Sequence, residues 1–165
     1  MLVSEFLFTF VIKLNQFFVY NCNKVFVYIC KMKKIDIEKL LIWHDLHHEQ
    51  KLEERYLNLK KLQPFLAGLD DQFSTKKIGE SYEGRDICEL TFGHGATSVL
   101  LWTQMHGNES TTTKAIFDLF NYFELADSKA LLEACTLLII PILNPDGAEA
   151  YTRFNKNQVD LNRDA

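Results

Sequence analysis

The sequence predicts an α/β fold with a parallel core, on three observations. Two apolar runs, 97–105 (TSVLLWTQM) and 135–143 (CTLLIIPIL), have the length of strands and the near-continuous apolar character of strands covered on both faces. Between them, Ile116, Leu119, Phe120 and Phe123 recur on one face of a helix-forming segment. Strand, helix and strand in that order, joined by short loops, make a unit whose two strands run parallel.

The remaining elements follow in chain order. Residues 1–31 are rich in Phe, Val and Tyr, but Glu5, Lys13, Asn15, Gln16, Asn21, Asn23 and Lys24 leave no apolar stretch long enough to span a bilayer. The segment lacks the basic start and small-residue cleavage site of a signal peptide. Met32 is followed by KKIDIEKL, an ordinary protein beginning, so residues 1–31 read as an extension upstream of the true start, with a membrane-associated leader as the weaker reading, and residues 32–165 as the domain. Left exposed, the extension is an aggregation hazard, being of high β-propensity and low charge.

Asp36 can cap a helix, and residues 37–62 are mostly strong helix formers, with a stripe at Leu52, Tyr56, Leu59 and Leu62 and a break expected at Pro64. Short runs around Lys77–Ile78 and Ile87–Phe92 flank a Ser-Tyr-Glu-Gly turn and predict a hairpin. Asn108 or Ser110 can cap the helix after the first apolar strand. Pro141 cannot donate a ladder bond, so pairing near the end of the second strand should be irregular. Asn144-Pro145-Asp146-Gly147 reads as a turn in which Pro presets φ, Asp bonds locally and Gly takes the strained position.

Bulk composition narrows the function. A chain of 165 residues suffices for one domain with a real core. At 47% hydrophobic and 24% charged it is globular, and a net charge of -4 argues against a nucleic-acid partner. Cys22, Cys30, Cys88 and Cys135 form no CxxC pair, so buried free thiols are expected.

Ligands of open α/β sheets bind beyond the carboxyl ends of strands, where His106 and Glu109 lie. Imidazole and carboxylate both suit zinc, and a catalytic zinc keeps three protein ligands plus water. A polar loop at a helix start would show the same spacing. Downstream, Arg153 and the pair Asn162-Arg163 follow the second strand; Arg grips a carboxylate with two parallel bonds, and an Asn amide can add a donor beside it. Taken singly, each also reads as a solvated residue in a polar turn. His44, His47 and His48 sit on a helical stretch, where Leu52 stands in place of the second His of HExxH, and read as a solvated face; His94 lies in a turn.

As an ordered set, IGESYEGRDI, HGNE, NPDG, the following Arg153 and VDLNR resemble the zinc carboxypeptidases, from about Ile78 to Arg163. The resemblance implies a three-layer α/β/α domain with a mixed, largely parallel sheet, present here as its first half. It implies one zinc ion held by His106 and Glu109, with Arg153 polarising the scissile carbonyl and steadying its oxyanion. Asn162 and Arg163 would grip the terminal carboxylate of a peptide substrate. The family's third zinc ligand, a His, and its general-base Glu come after the Asn-Arg pair, so residues 1–165 alone are expected to be inactive. NRDA stands where many members have Asn and an aromatic after the Arg, a departure that bears on the pocket beside Arg163. Two other readings stay open: a zinc deacylase of the aspartoacylase type, which NPDG followed by Arg153 disfavours, and a non-catalytic fragment or binding module.

Overall fold

The computed structural model describes residues 37–69 and 73–163. The expectations for residues 1–31, Asp36, Cys22 and Cys30 fall outside these. The chain divides into two units, 1–46 and 47–165. In the first, α1 (Ile37–His47) buries no side chain fully, and Ile37, Ile42 and Leu46 are exposed. Among the described residues no helix is long and apolar enough to cross a membrane.

The single helix expected over 37–62 is broken. α1 ends at His47, and α2 (Leu59–Ala67) begins afresh at Asn58, whose extended backbone and side-chain oxygen, accepting from the Lys61 N–H at 3.0 Å, cap the new helix. Pro64 lies inside α2 instead of ending it. Its missing N–H forfeits one bond, to the carbonyl of Lys60, a residue exposed to water. Leu52 and Leu62 reach the core as the stripe predicted, whereas Tyr56 is exposed.

The expected hairpin is present: β1 (Ser74–Glu80) and β2 (Asp86–Phe92) pair antiparallel around the turn at Ser81–Arg85, where Gly84 takes φ 75°. β3 (Thr97–Trp102) leads into α3 (Thr111–Phe123), then a short 3-10 turn (Ala126–Ser128), α4 (Lys129–Ala134) and β4 (Cys135–Ile140). β3 and β4 pair parallel from Thr97↔Cys135 to Trp102↔Ile140, as the strand–helix–strand order requires. β4 also pairs antiparallel with β2, giving a mixed four-stranded sheet of order β1-β2-β4-β3. The fold is α/β, with parallel character confined to the β3–β4 pair among the described strands.

The core lies where α3 packs on one face of the sheet. Leu90, Phe92, Leu137 and Ile139 project from the strands onto Ile116, Phe117, Phe120 and Phe123 of α3, with Val99 and Leu101 beside them. Phe92 and Phe120 stack at 5.0 Å between ring centroids. Successive strand residues alternate between faces, and Leu100, facing away from α3, is 48% exposed. The apolar run of β3 is therefore not covered on both faces by the described residues. Cys88 and Cys135 are free and half-buried.

Phe120→Ala should lower stability by about 3–5 kcal/mol in urea denaturation, since it empties the ring cluster, while Leu100→Ala should cost less than about 1 kcal/mol. Equal losses would place the core elsewhere.

Candidate metal centre

β3 and β4 end side by side, so the loops that leave them emerge together. Single backbone bonds extend the pairing beyond the strands: Thr103 N–H to Ile140 O, Leu143 N–H to Thr103 O and Asn144 N–H to Gln104 O. The irregularity expected at Pro141 takes this form. NPDG proves to be a helix start rather than a turn. Asn144 caps α5 (Pro145–Ala150) by accepting from the Gly147 N–H at 2.9 Å, and Pro145 fills the first helical turn.

Gly147 does not take the strained backbone expected of it, and both it and Gly107 are glycines because of close packing. Neither has positive φ; among the described glycines only Gly84 and Gly93 do. A Cβ on Gly107 would lie 1.8 Å from the Gly147 carbonyl carbon and 2.2 Å from the Ala148 nitrogen. A Cβ on Gly147 would meet the Asn144 side-chain nitrogen at 2.5 Å and the Phe154 carbonyl oxygen at 2.6 Å. The two loops thus pack backbone against backbone, with no room for a side chain between them.

That contact assembles a polar cluster. His106 is 8% exposed. Its Nε2 lies 3.0 Å from Asp160 Oδ1, and its Nδ1 lies 3.0 Å from Glu109 Oε1. Arg153 Nη1 lies 3.2 Å from the same Nδ1 and 3.3 Å from the same Oε1, while its Nε donates to Asp160 Oδ2 at 2.9 Å. Arg153 can only donate, so its contact makes Nδ1 an acceptor, and the proton of the neutral ring then lies on Nε2, where the Asp160 carboxylate accepts it. Two acceptors 3.0 Å apart call for a cation beside them, and the Arg153 guanidinium supplies one. An imidazole and a carboxylate converging in this way, with the far imidazole nitrogen held by a second carboxylate, fit zinc. Among the described residues no group of three or more metal-binding side chains occurs, so no third ligand joins the pair.

Sequence reasoning missed Asp160. Its signal lay in VDLNR, because a ligating His almost always gives its second nitrogen to a carboxylate, carbonyl or water. Burial works to raise the Asp160 carboxyl, but hydrogen bonds from Arg153, the Asn162 amide and His106 outweigh it and hold the group below the usual carboxylate range. Asn162 and Arg163 are exposed and join the cluster through Asp160: the Asn162 N–H donates to its Oδ1 at 3.0 Å and the Arg163 N–H to its backbone oxygen at 2.8 Å. The caps expected for α3 differ as well. Ser110 stands at the N-cap but makes no capping bond, and its hydroxyl donates to Arg55 O at 2.6 Å.

Strain concentrates here. The non-glycine residues with positive φ among those described are Gln104 (48°), Tyr151 (52°) and Gln158 (62°), each two positions before His106, Arg153 or Asp160. Such conformations persist only where surrounding contacts impose them. A brace supports the second loop from outside. Asp146, 4% exposed, accepts from Ser81 Oγ at 2.7 Å, the Glu83 N–H at 3.1 Å and Arg85 Nη1 at 2.5 Å, tying the β1–β2 turn to α5. Lys156 pairs with Glu83 of the same turn. Burial raises the Asp146 carboxyl, yet the bonds from Ser81, Arg85 and Glu83 prevail and lower it.

The sequence profile of the zinc carboxypeptidase family matches residues 60–164. Carboxypeptidase M of Mus musculus is 27% identical over 137 residues, covering 68% of this chain and 31% of that protein. Gamma-D-glutamyl-L-diamino acid endopeptidase 1 of Lysinibacillus sphaericus is 29% identical over 122 residues, covering 65% of this chain and 29% of its own length. The chain therefore spans less than a third of either relative. A metallo-carboxypeptidase from Burkholderia cenocepacia shares the fold, with a TM-score of 0.61 over 66% of this chain and 32% of its own, at 24% identity.

Because the Asp146 carboxyl is lowered in the folded chain, its contribution to stability is present above the unfolded value of about 4 and is lost as pH falls through the lower folded value. Asp146→Asn should cost about 2 kcal/mol at pH 7. The gap between parent and variant urea midpoints should close below about pH 4; a gap independent of pH would contradict the ionic brace.

Proposed function

The chain belongs to the zinc carboxypeptidase family, and from that premise we propose that it carries part of a site that removes the terminal residue from a peptide's carboxyl end. His106 and Glu109 act as zinc ligands, Arg153 as the cation beside the scissile carbonyl, and Asn162 with Arg163 as the grip on the substrate's terminal carboxylate. The observation that carries this reading is the convergence of His106 Nδ1 and Glu109 Oε1 at 3.0 Å with Asp160 on the opposite ring nitrogen. Zinc, when bound, supplies Lewis acidity toward the carbonyl and an attacking water.

The chain's own residues supply the rest. Asp160 holds the imidazole in the tautomer that offers Nδ1, and through Arg153 Nε it sets the guanidinium at the edge of the same pair. Arg153 is half-buried, so its charge is partly shielded from water while one edge stays open to a substrate oxygen. Arg163, exposed on the turn that Asp160 organises, is free to meet a carboxylate with two parallel bonds. With two protein ligands, zinc affinity should be weak and turnover by residues 1–165 negligible.

Two measurements test the reading. Metal analysis after dialysis should find less zinc on His106→Ala and on Glu109→Ala than on the parent; equal retention would remove the ligand assignment. In binding assays, Arg163→Ala should weaken a peptide with a free carboxyl end by about 1.5–3 kcal/mol and spare its amidated counterpart. Equal losses for both peptides would make Arg163 a structural residue.

A further inference from the structure

We propose that Gln104 is the residue that positions the zinc-binding loop, by gripping the backbone between the two ligands with a buried side-chain amide. This rests on the metal reading above. Gln104 follows β3 and is 2% exposed, in the left-handed region at φ 48°. Its Nε2 donates to the Gly107 carbonyl at 2.8 Å and to the Leu57 carbonyl at 2.8 Å. Its Oε1 accepts from the Thr113 hydroxyl at 2.8 Å. Its own backbone carbonyl accepts from the Asn144 N–H at 3.2 Å.

Gly107 lies between His106 and Glu109, and Thr113 lies in the first turn of the helix that follows Glu109. One amide therefore fixes the loop at its midpoint and at the helix it enters, while the Gln104 backbone ties it to Asn144, the N-cap of α5, the helix that precedes Arg153 and Asp160. Both amide hydrogens are used, in a site with no water-exposed alternative: Leu57 is 2% exposed and Thr113 0%. The choice of residue is informative. A left-handed position favours glycine, and next asparagine, so a glutamine there stands against its backbone preference. Glutamine offers two donors at full reach. Asparagine is a methylene shorter, glycine offers none, and glutamate would set an acceptor against two carbonyl oxygens.

The two possible roles of this position therefore predict opposite results. If the left-handed turn alone shapes the loop, Gln104→Asn and Gln104→Gly should match or improve on the parent. If the amide is the anchor, both should loosen the ligand pair despite suiting the backbone better. The test is the zinc dissociation constant of the 165-residue chain, read by competition with a chromophoric chelator, with circular dichroism confirming the fold of each variant. Both variants should bind zinc about tenfold more weakly, or worse, as loss of an outer support of a metal ligand generally does. Ser128→Ala, which removes a buried hydroxyl bonded to Phe123 O and Leu125 O, should lower stability and leave zinc affinity unchanged. Parental affinity in either Gln104 variant overturns the inference while leaving the ligand assignment standing. A parent that binds no more tightly than His106→Ala overturns the metal reading, and this inference with it.

Discussion

The site depends on one steric constraint, the backbone contact between Gly107 and Gly147. Parallel pairing of β3 with β4 brings their carboxyl ends together, but adjacency alone would leave two loops separated by their side chains. The missing side chain at Gly107 lets the main chains touch, since any Cβ there would overlap the Gly147 carbonyl carbon, while the missing side chain at Gly147 makes room for the Asn144 side chain and the Phe154 carbonyl. Gly147 also anchors the returning chain: its carbonyl accepts from the Thr152 N–H at 2.9 Å, after Tyr151 has turned the chain out of α5 in a left-handed conformation. That return delivers Arg153, and a second tight turn through Gln158 delivers Asp160. His106 and Glu109 on one loop and Arg153 and Asp160 on the other then meet within hydrogen-bonding distance.

Electrostatics complete what the steric constraint begins. Asp160 is the organising charge: it accepts from His106, from Arg153 and from the Asn162 backbone. Each of these bonds favours the ionised carboxylate, which is why the group titrates low although burial opposes it. The consequence for His106 is a defined tautomer, and the consequence for Arg153 is a fixed edge beside Nδ1 and Glu109. The Asp146 brace uses the same physics for support, binding the β1–β2 turn to α5 so that the motif GESYEGR serves the site without touching it.

Much of this was legible in the sequence, and what escaped shares a cause. The hairpin, the apolar face of α3 and the parallel strands are written in local periodicity, which needs no knowledge of neighbours. The residues His106, Glu109, Arg153, Asn162 and Arg163 stood out because their chemistry is recognisable in order. The break at Asn58, the persistence of α2 through Pro64 and the reason for Gly107 depend on tertiary contacts. So do Asp160 and Gln104, ordinary polar residues whose importance appears only once their partners, 54 and 47 positions away, are in place. The half-exposed Leu100 shows the converse: an apolar strand states a preference for burial, and only the packing shows how far it is met.

The most direct measurement is the nitrogen-15 spectrum of the His106 ring, with and without zinc. Before zinc, proton correlations should show the neutral imidazole protonated at Nε2, held by Asp160, with an unprotonated Nδ1 facing Glu109. On zinc addition the Nδ1 resonance should shift strongly while Nε2 keeps its proton. A ring protonated at Nδ1, or a spectrum that zinc leaves unchanged, would contradict a metal centre built on His106 and Glu109.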